Sequence, residues 1–316
     1  MRYQVVGSPI PLAVPTEDPI HRAAFAYRVQ GIEEAAQTTV LLEVYAQRGT
    51  LYPYAERACR LLLSCYHLAR TRLGLDHPVR YDRLLRVFLM TEGRAGAEQQ
   101  QNLLYMYDLS ERVPSHEWVR ELTHEYGHWI IPPINSYTEP EPWANGDLGE
   151  RWFTYHLLES QKRSSDELNI MPDSLMGASP NTLQAYLRRA VEPLVERVAR
   201  EGLSLQRWRS RRRDGFEEYL ALALYIDRVY GSARLGRAML CAGGVEPDDF
   251  LRGARESLTE VDTLTARVPF KDAYLFLPGG VARWRVVQPR EARLTPDPKR
   301  PEWVRCSTTE LTLRSR

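Results

Sequence analysis

Ser115-His116-Glu117-Trp118-Val119-Arg120-Glu121-Leu122-Thr123-His124-Glu125-Tyr126-Gly127-His128-Trp129 is the stretch on which the reading of this chain turns. Trp118, Leu122, Tyr126 and Trp129 recur at three- and four-residue spacing, which predicts an amphipathic helix. Ser115 suits its N-cap, Glu117 its positive first turn, and Pro132-Pro133 its stop. His124 and His128 are four apart, so their imidazoles share a face about one turn apart. That face lies away from the apolar stripe and is free to look into a cleft. Two nitrogens so placed can reach one zinc ion at roughly 2.0–2.1 Å. Glu125, next to the first histidine, is positioned to take a proton from water and return it to a leaving group.

A catalytic zinc usually takes three protein ligands and a water. No third histidine follows in Trp129-Ile130-Ile131-Pro132-Pro133-Ile134, so the third ligand is expected to be a later carboxylate. Glu139, Glu141, Asp147, Glu150 and Glu159 are the candidates. Glu139 and Glu141 sit beside Pro140 and Pro142 in a loop, a less rigid support. Asp147 suits an N-cap or first-turn acid, and Glu159 lies further along the next helix. Glu150 is favoured because it stands on a helical platform.

Working outward, residues 84–90 and 102–109 are short and rich in β-formers and read as strands, as do residues 39–45. Residues 54–73 read as a helix by their apolar spacing, and further helices are expected at 148–161, 182–200, 216–230 and 248–258. Residues 273–277 and 282–287 flank Pro278-Gly279-Gly280 and suggest a hairpin.

The constellation resembles the gluzincins, the thermolysin-like and zinc-aminopeptidase-like branch of the zinc peptidases, over residues 54–165. There the paired-histidine helix is followed by a helical glutamate ligand, the place that Glu150 occupies. Glu150-Arg151-Trp152-Phe153-Thr154-Tyr155 is similar to the N-E-G-F-A-x-Y pattern of the aminopeptidase side, with Trp152 and Tyr155 in its aromatic positions. The resemblance implies one zinc per chain held by His124, His128 and Glu150, with Glu125 activating water against the bond of a peptide or protein substrate. There are departures. Gln101-Asn102-Leu103-Leu104-Tyr105-Met106-Tyr107 replaces the G-A-M-E-N-like exopeptidase strand, which favours an endopeptidase. Thr154 stands where thermolysin-like enzymes carry an Asp, and Gly149 where both relatives carry an Asn. The oxyanion-stabilising group has no motif; Tyr219, Tyr225, Tyr230 and His156 are its candidates. A non-catalytic binding or scaffold protein of the same shape, and a zinc hydrolase of non-peptide amides, are the alternative readings.

The expected fold is α+β: a strand-rich segment over 1–50, a zincin-like catalytic domain over 51–265 and a short C-terminal β region over 266–316. A formal net charge of +1 over 316 residues points to neither nucleic acid nor an anionic membrane. Arg207-Trp208-Arg209-Ser210-Arg211-Arg212-Arg213 is followed at once by acids and reads as a solvated helix entry. No apolar run reaches the roughly 18 residues of a membrane span. Met1–Gly7 lacks the apolar core of a signal peptide, which fits a cytoplasmic protein or an exported one whose signal has been removed. Cys59, Cys65, Cys241 and Cys306 form no C-x-x-C pair and read as buried thiols.

Overall fold

A computed structural model describes residues 2–109, 115–161 and 175–316. The chain divides into two compact units, one formed by Met1–Thr71, Leu75–Ile131 and Gly149–Leu187, the other by Arg72–Gly74, Pro132–Leu148 and Arg188–Arg316. The fold is α+β, with a mixed six-stranded sheet and helices.

The first unit holds that sheet. Its strands are β1 (Arg2–Gly7), β4 (Tyr27–Glu34), β5 (Thr38–Ala46), β6 (Leu85–Leu89), β7 (Gly96–Gln100) and β8 (Leu103–Tyr107), in the order β1-β4-β5-β6-β8-β7. A two-stranded ribbon, β2 (Thr16–Glu17) and β3 (Ala24–Phe25), lies outside it. β1, β4 and β5, before residue 50, thus share one sheet with β6, β7 and β8 after it. β5, β6 and β8 run parallel to one another, and the β5-to-β6 connection carries helix α1 (Tyr52–Leu68), since parallel strands need a crossover. Alternation along the strands separates two faces. Leu42, Val44, Leu85, Val87, Leu104 and Met106 share one of them. Tyr45, Phe88 and Tyr105 are aligned on the other, where Phe88 stacks on both neighbours at 5.1 Å between centroids. Helix α2 (Ser115–Ile130) runs beside β7 and β8 and against α1. Helix α3 (Asn145–Gln161) follows it, and then α4 (Pro180–Ala190). The cap assigned to Ser115 depends on a side chain outside those described.

The second unit contains α5 (Glu192–Glu201), α6 (Leu205–Trp208), α7 (Arg213–Tyr230), α8 (Ser232–Ala242) and α9 (Pro247–Thr259), with α5 packed on α7 and α8 on α9. The single helix expected over 182–200 is two helices. α4 ends at Ala190 and Pro193 opens α5, because a proline supplies no N–H to continue the ladder.

Two three-stranded sheets follow. One is formed by β10 (Ala273–Phe276), β12 (Leu294–Asp297) and β13 (Arg300–Cys306), the other by β9 (Thr263–Arg267), β11 (Trp284–Gln288) and β14 (Glu310–Ser315). The expected hairpin at Pro278-Gly279-Gly280 is therefore corrected: β10 pairs with β13 and β11 with β14. Gly279 and Gly280, both at positive φ, open a short helix, α10 (Gly280–Arg283), which carries the chain from one sheet to the other. A Cβ at Gly280 would stand 2.3 Å from the Pro301 carbonyl oxygen, so only glycine fits there.

All four cysteines are free thiols; three are buried, as expected, and Cys241 is half-exposed. Among the described residues no helix is long and apolar enough to cross a membrane.

Candidate metal centre

The sidedness of α2 positions the site. Trp118, Val119, Leu122, Tyr126, Trp129 and Ile130 are buried, so one face of the helix is committed to the core. The roll of the helix is set by a polar contact inside that face. His77 Nε2 lies 2.8 Å from the Tyr126 hydroxyl, and His77 Nδ1 lies 2.7 Å from the Arg83 carbonyl oxygen. A carbonyl only accepts, so Nδ1 carries the proton and Nε2 accepts from Tyr126. Burial pushes the His77 pKa down to about 4, which keeps the ring neutral.

The opposite face carries His124 and His128, whose Nε2 atoms are 3.2 Å apart. Two nitrogens bound tetrahedrally to one zinc at about 2.0–2.1 Å lie roughly 3.3 Å from each other, so the pair fits that ion as it stands. A cleft of about 300 Å³ opens on this side, lined by Glu117, Arg120, Glu121, His124, Glu125 and Glu150. Glu125 is 8 % exposed. Burial, and then the charges of Glu117 and Glu125, raise the pKa of Glu121.

Glu150 reaches this cleft because α3 crosses α2 at glycine. A Cβ at Gly149 would stand 2.5 Å from the Gly127 Cα and 3.0 Å from the Thr123 carbonyl oxygen. With no side chain between the helices, Glu150 Oε2 comes to 3.5 Å from His124 Nδ1 and Oε1 to 2.6 Å from Arg120 Nε. Burial works to raise the Glu150 pKa, but hydrogen bonding with His124 and the positive charges of Arg120 and Arg151 outweigh it and hold it at about 2. The Arg120 guanidinium in turn lies over the Tyr186 ring, 4.4 Å from its centroid. Neither Arg120 nor Tyr186 figured in the reading of the sequence. Arg120 could have been found, since it stands four residues before His124 on the same face; Tyr186 carried no signal.

Glu139 is exposed and Glu141 half-buried in the segment before α3, Asp147 lies in the first turn of α3, and Glu159 is half-exposed near its end. Tyr225 and Tyr230 donate to the carbonyls of Tyr274 and Phe276, and Tyr219 is buried against Phe250, so all three serve packing within the second unit. His156 packs tilted against Trp152, with ring centroids 4.3 Å apart.

No family model matches this chain, and no curated protein matches it. Among solved structures, aminopeptidase A of Legionella pneumophila in complex with aspartic acid is similar at a TM-score of 0.36 and 12 % identity. That match covers 98 % of this chain and 40 % of the other, so the present chain spans well under half of its length.

The gluzincin resemblance is corrected by the geometry of the site, which departs from the pattern that suggested it. That pattern needs His124, His128 and Glu150 around one point. The described residues do contain ligand-type groups of histidine and carboxylate, and His124 belongs to two of them, but neither holds all three residues. The reason lies in the His124 ring. Its Nε2 faces His128 and its Nδ1 faces Glu150, so the two partners stand on different sides of it.

Proposed function

We propose that this chain is a zinc-dependent hydrolase of peptide bonds, with His124 and His128 holding the metal and Glu125 acting as the general base. The 3.2 Å separation of the two Nε2 atoms beside a carboxylate-lined cleft carries this reading. A zinc ion between them would supply Lewis acidity, polarising the scissile carbonyl and making water acidic enough to attack.

The remaining roles belong to the protein's own side chains. Glu125 follows His124 directly and lines the same cleft, so its carboxylate can take a proton from the attacking water and deliver it to the leaving nitrogen. We assign Glu150 to holding His124 rather than to the metal. Its carboxylate lies on the Nδ1 side of the ring, where it fixes the tautomer that leaves Nε2 free to bind. Arg120 anchors that carboxylate from the other side.

The test combines metal content with peptide hydrolysis, for the wild type beside Glu125→Gln and His124→Ala. About one zinc per chain is expected in the wild type and in Glu125→Gln, and none in His124→Ala. Hydrolysis should fall on the order of 10²- to 10⁴-fold in Glu125→Gln. Undiminished hydrolysis in that variant would remove Glu125 from the chemistry. A zinc-loaded wild type that cleaves small amides and no peptide would replace the substrate class, and the absence of zinc uptake in any sample would leave a binding or scaffold protein.

A further inference from the structure

The second unit contains a cavity of about 260 Å³ whose chemistry the peptidase reading does not use. Its floor is apolar: Leu203, Leu251, Phe276 and Trp303 line it and are buried, while Leu205 stands at 52 % exposure. Three cations and one acid also line it: Arg255, Lys299, Arg300 and Glu302.

Two of the cations are already spent. Arg255 Nε lies 3.1 Å from both oxygens of Glu302, and Arg255 Nη2 lies 2.9 Å from Oε2. Arg300 bonds Asp297 Oδ2 through Nε at 2.9 Å and Nη2 at 2.8 Å, and also donates to the Glu201 carbonyl. Asp297 is fully engaged as well: it accepts the Lys299 backbone N–H at 2.9 Å and the Tyr274 hydroxyl at 3.0 Å. These bonds pin the turn between β12 and β13 and leave no acid over for the Lys299 side chain. Among the described residues its ammonium makes no ion pair, so the cavity presents an apolar floor with one uncompensated positive charge at its edge.

We infer that this cavity binds a small aliphatic carboxylate, its hydrocarbon lying against Phe276, Leu251 and Trp303 and its carboxylate meeting Lys299. The apolar walls favour a hydrocarbon body because contact with it removes them from water. The unbalanced charge selects the head group: an anion gains a charge-assisted hydrogen bond, an alcohol gains little, and an ammonium is repelled. A free aliphatic acid and the carboxyl terminus of a peptide ending in leucine share this chemistry.

Calorimetric titration of the full chain tests it, with octanoate, octanol and octylamine as matched probes and N-acetyl-leucine as a terminus mimic. Octanoate or N-acetyl-leucine should bind about ten-fold or more tighter than octanol, the order of one charge-assisted hydrogen bond, and octylamine should bind weakest. The tighter of the two acids identifies the source. Lys299→Gln should bring the acid to the level of the alcohol. Leu205→Gln should weaken acid and alcohol alike. Both residues are exposed, and unchanged melting of the variants shows that the fold is intact. Octylamine binding as well as octanoate, an unchanged affinity in Lys299→Gln, or no heat of binding at millimolar octanoate would each overturn the assignment.

Discussion

Gly127 and Gly149 meet backbone to backbone, so closely that a Cβ on Gly149 would stand 2.5 Å from the Gly127 Cα. Ordinary helix pairs keep their axes apart by the side chains between them. Here that spacing is removed at the one place where α3 must bring Glu150 to His124. Gly127 thus serves the site without any chemistry of its own.

A methyl group at this crossing cannot be absorbed by a flexible neighbour, because the atoms that it meets are backbone. Gly149→Ala is expected to destabilise the protein by about 1–3 kcal/mol, the usual range for overpacking. It should also weaken zinc binding, because the helices must part and carry Glu150 away from the His124 ring. Thermal melting and a competitive zinc titration on the same sample check both effects. Wild-type zinc affinity in a destabilised Gly149→Ala would show that the crossing serves stability alone.

Glu150 offers a sharper test of how the site is held. A carboxylate that orients a metal-binding histidine typically changes metal affinity by about 10–100-fold when removed. Glu150→Ala should therefore fall in that range, with Glu150→Gln retaining more because its amide oxygen can still accept from Nδ1–H. His124→Ala should lose binding altogether. Should Glu150→Ala prove as severe as His124→Ala in the same titration, Glu150 would instead be a direct ligand.

Arg120 extends the same argument one contact outward. Its guanidinium stands 2.6 Å from Glu150 Oε1 and over the Tyr186 ring, so Arg120→Met removes the charge while keeping much of the stem. The expected result is weaker zinc binding than wild type but stronger than in Glu150→Ala, since Glu150 keeps its contact with His124. Zinc affinity equal to wild type would show that Glu150 holds its place without Arg120.

What could be read from the sequence was whatever repeats locally. The core stripe of α2 declares itself by spacing, and its burial follows that stripe residue by residue. β6 and β8 announce themselves through runs of Leu, Val, Phe and Tyr. Pairing between distant segments left no such trace. β11 finds its partner in β14 rather than across Pro278-Gly279-Gly280, because Gly280 is needed where the Pro301 carbonyl approaches. Gly149 registered in the sequence only as a glycine where the gluzincin pattern has Asn. Its reason, the Gly127 backbone, lies on another helix. The His77–Tyr126 contact spans 49 residues, so no local spacing could reveal the position of His77.

That histidine makes the stability of the first unit depend on pH. In the folded chain its pKa is depressed to about 4, whereas an unfolded histidine titrates near 6.5. Between those values the unfolded chain binds a proton that the folded chain refuses, so stability rises with pH across the window. The contribution is fully present above about pH 6.5, is lost as pH falls towards 4, and amounts to about 3 kcal/mol by linkage. Urea denaturation at a series of pH values from 7 to 4 should show this decline. His77→Phe should flatten that part of the curve while lowering stability at neutral pH, because Tyr126 loses its buried acceptor at a cost of about 1–3 kcal/mol. Tyr126→Phe gives the complement: it removes the hydroxyl but keeps the buried imidazole, so the pH slope should persist on a less stable protein. If His77→Phe retained the wild-type slope between pH 6.5 and 4, the titrating group would lie elsewhere.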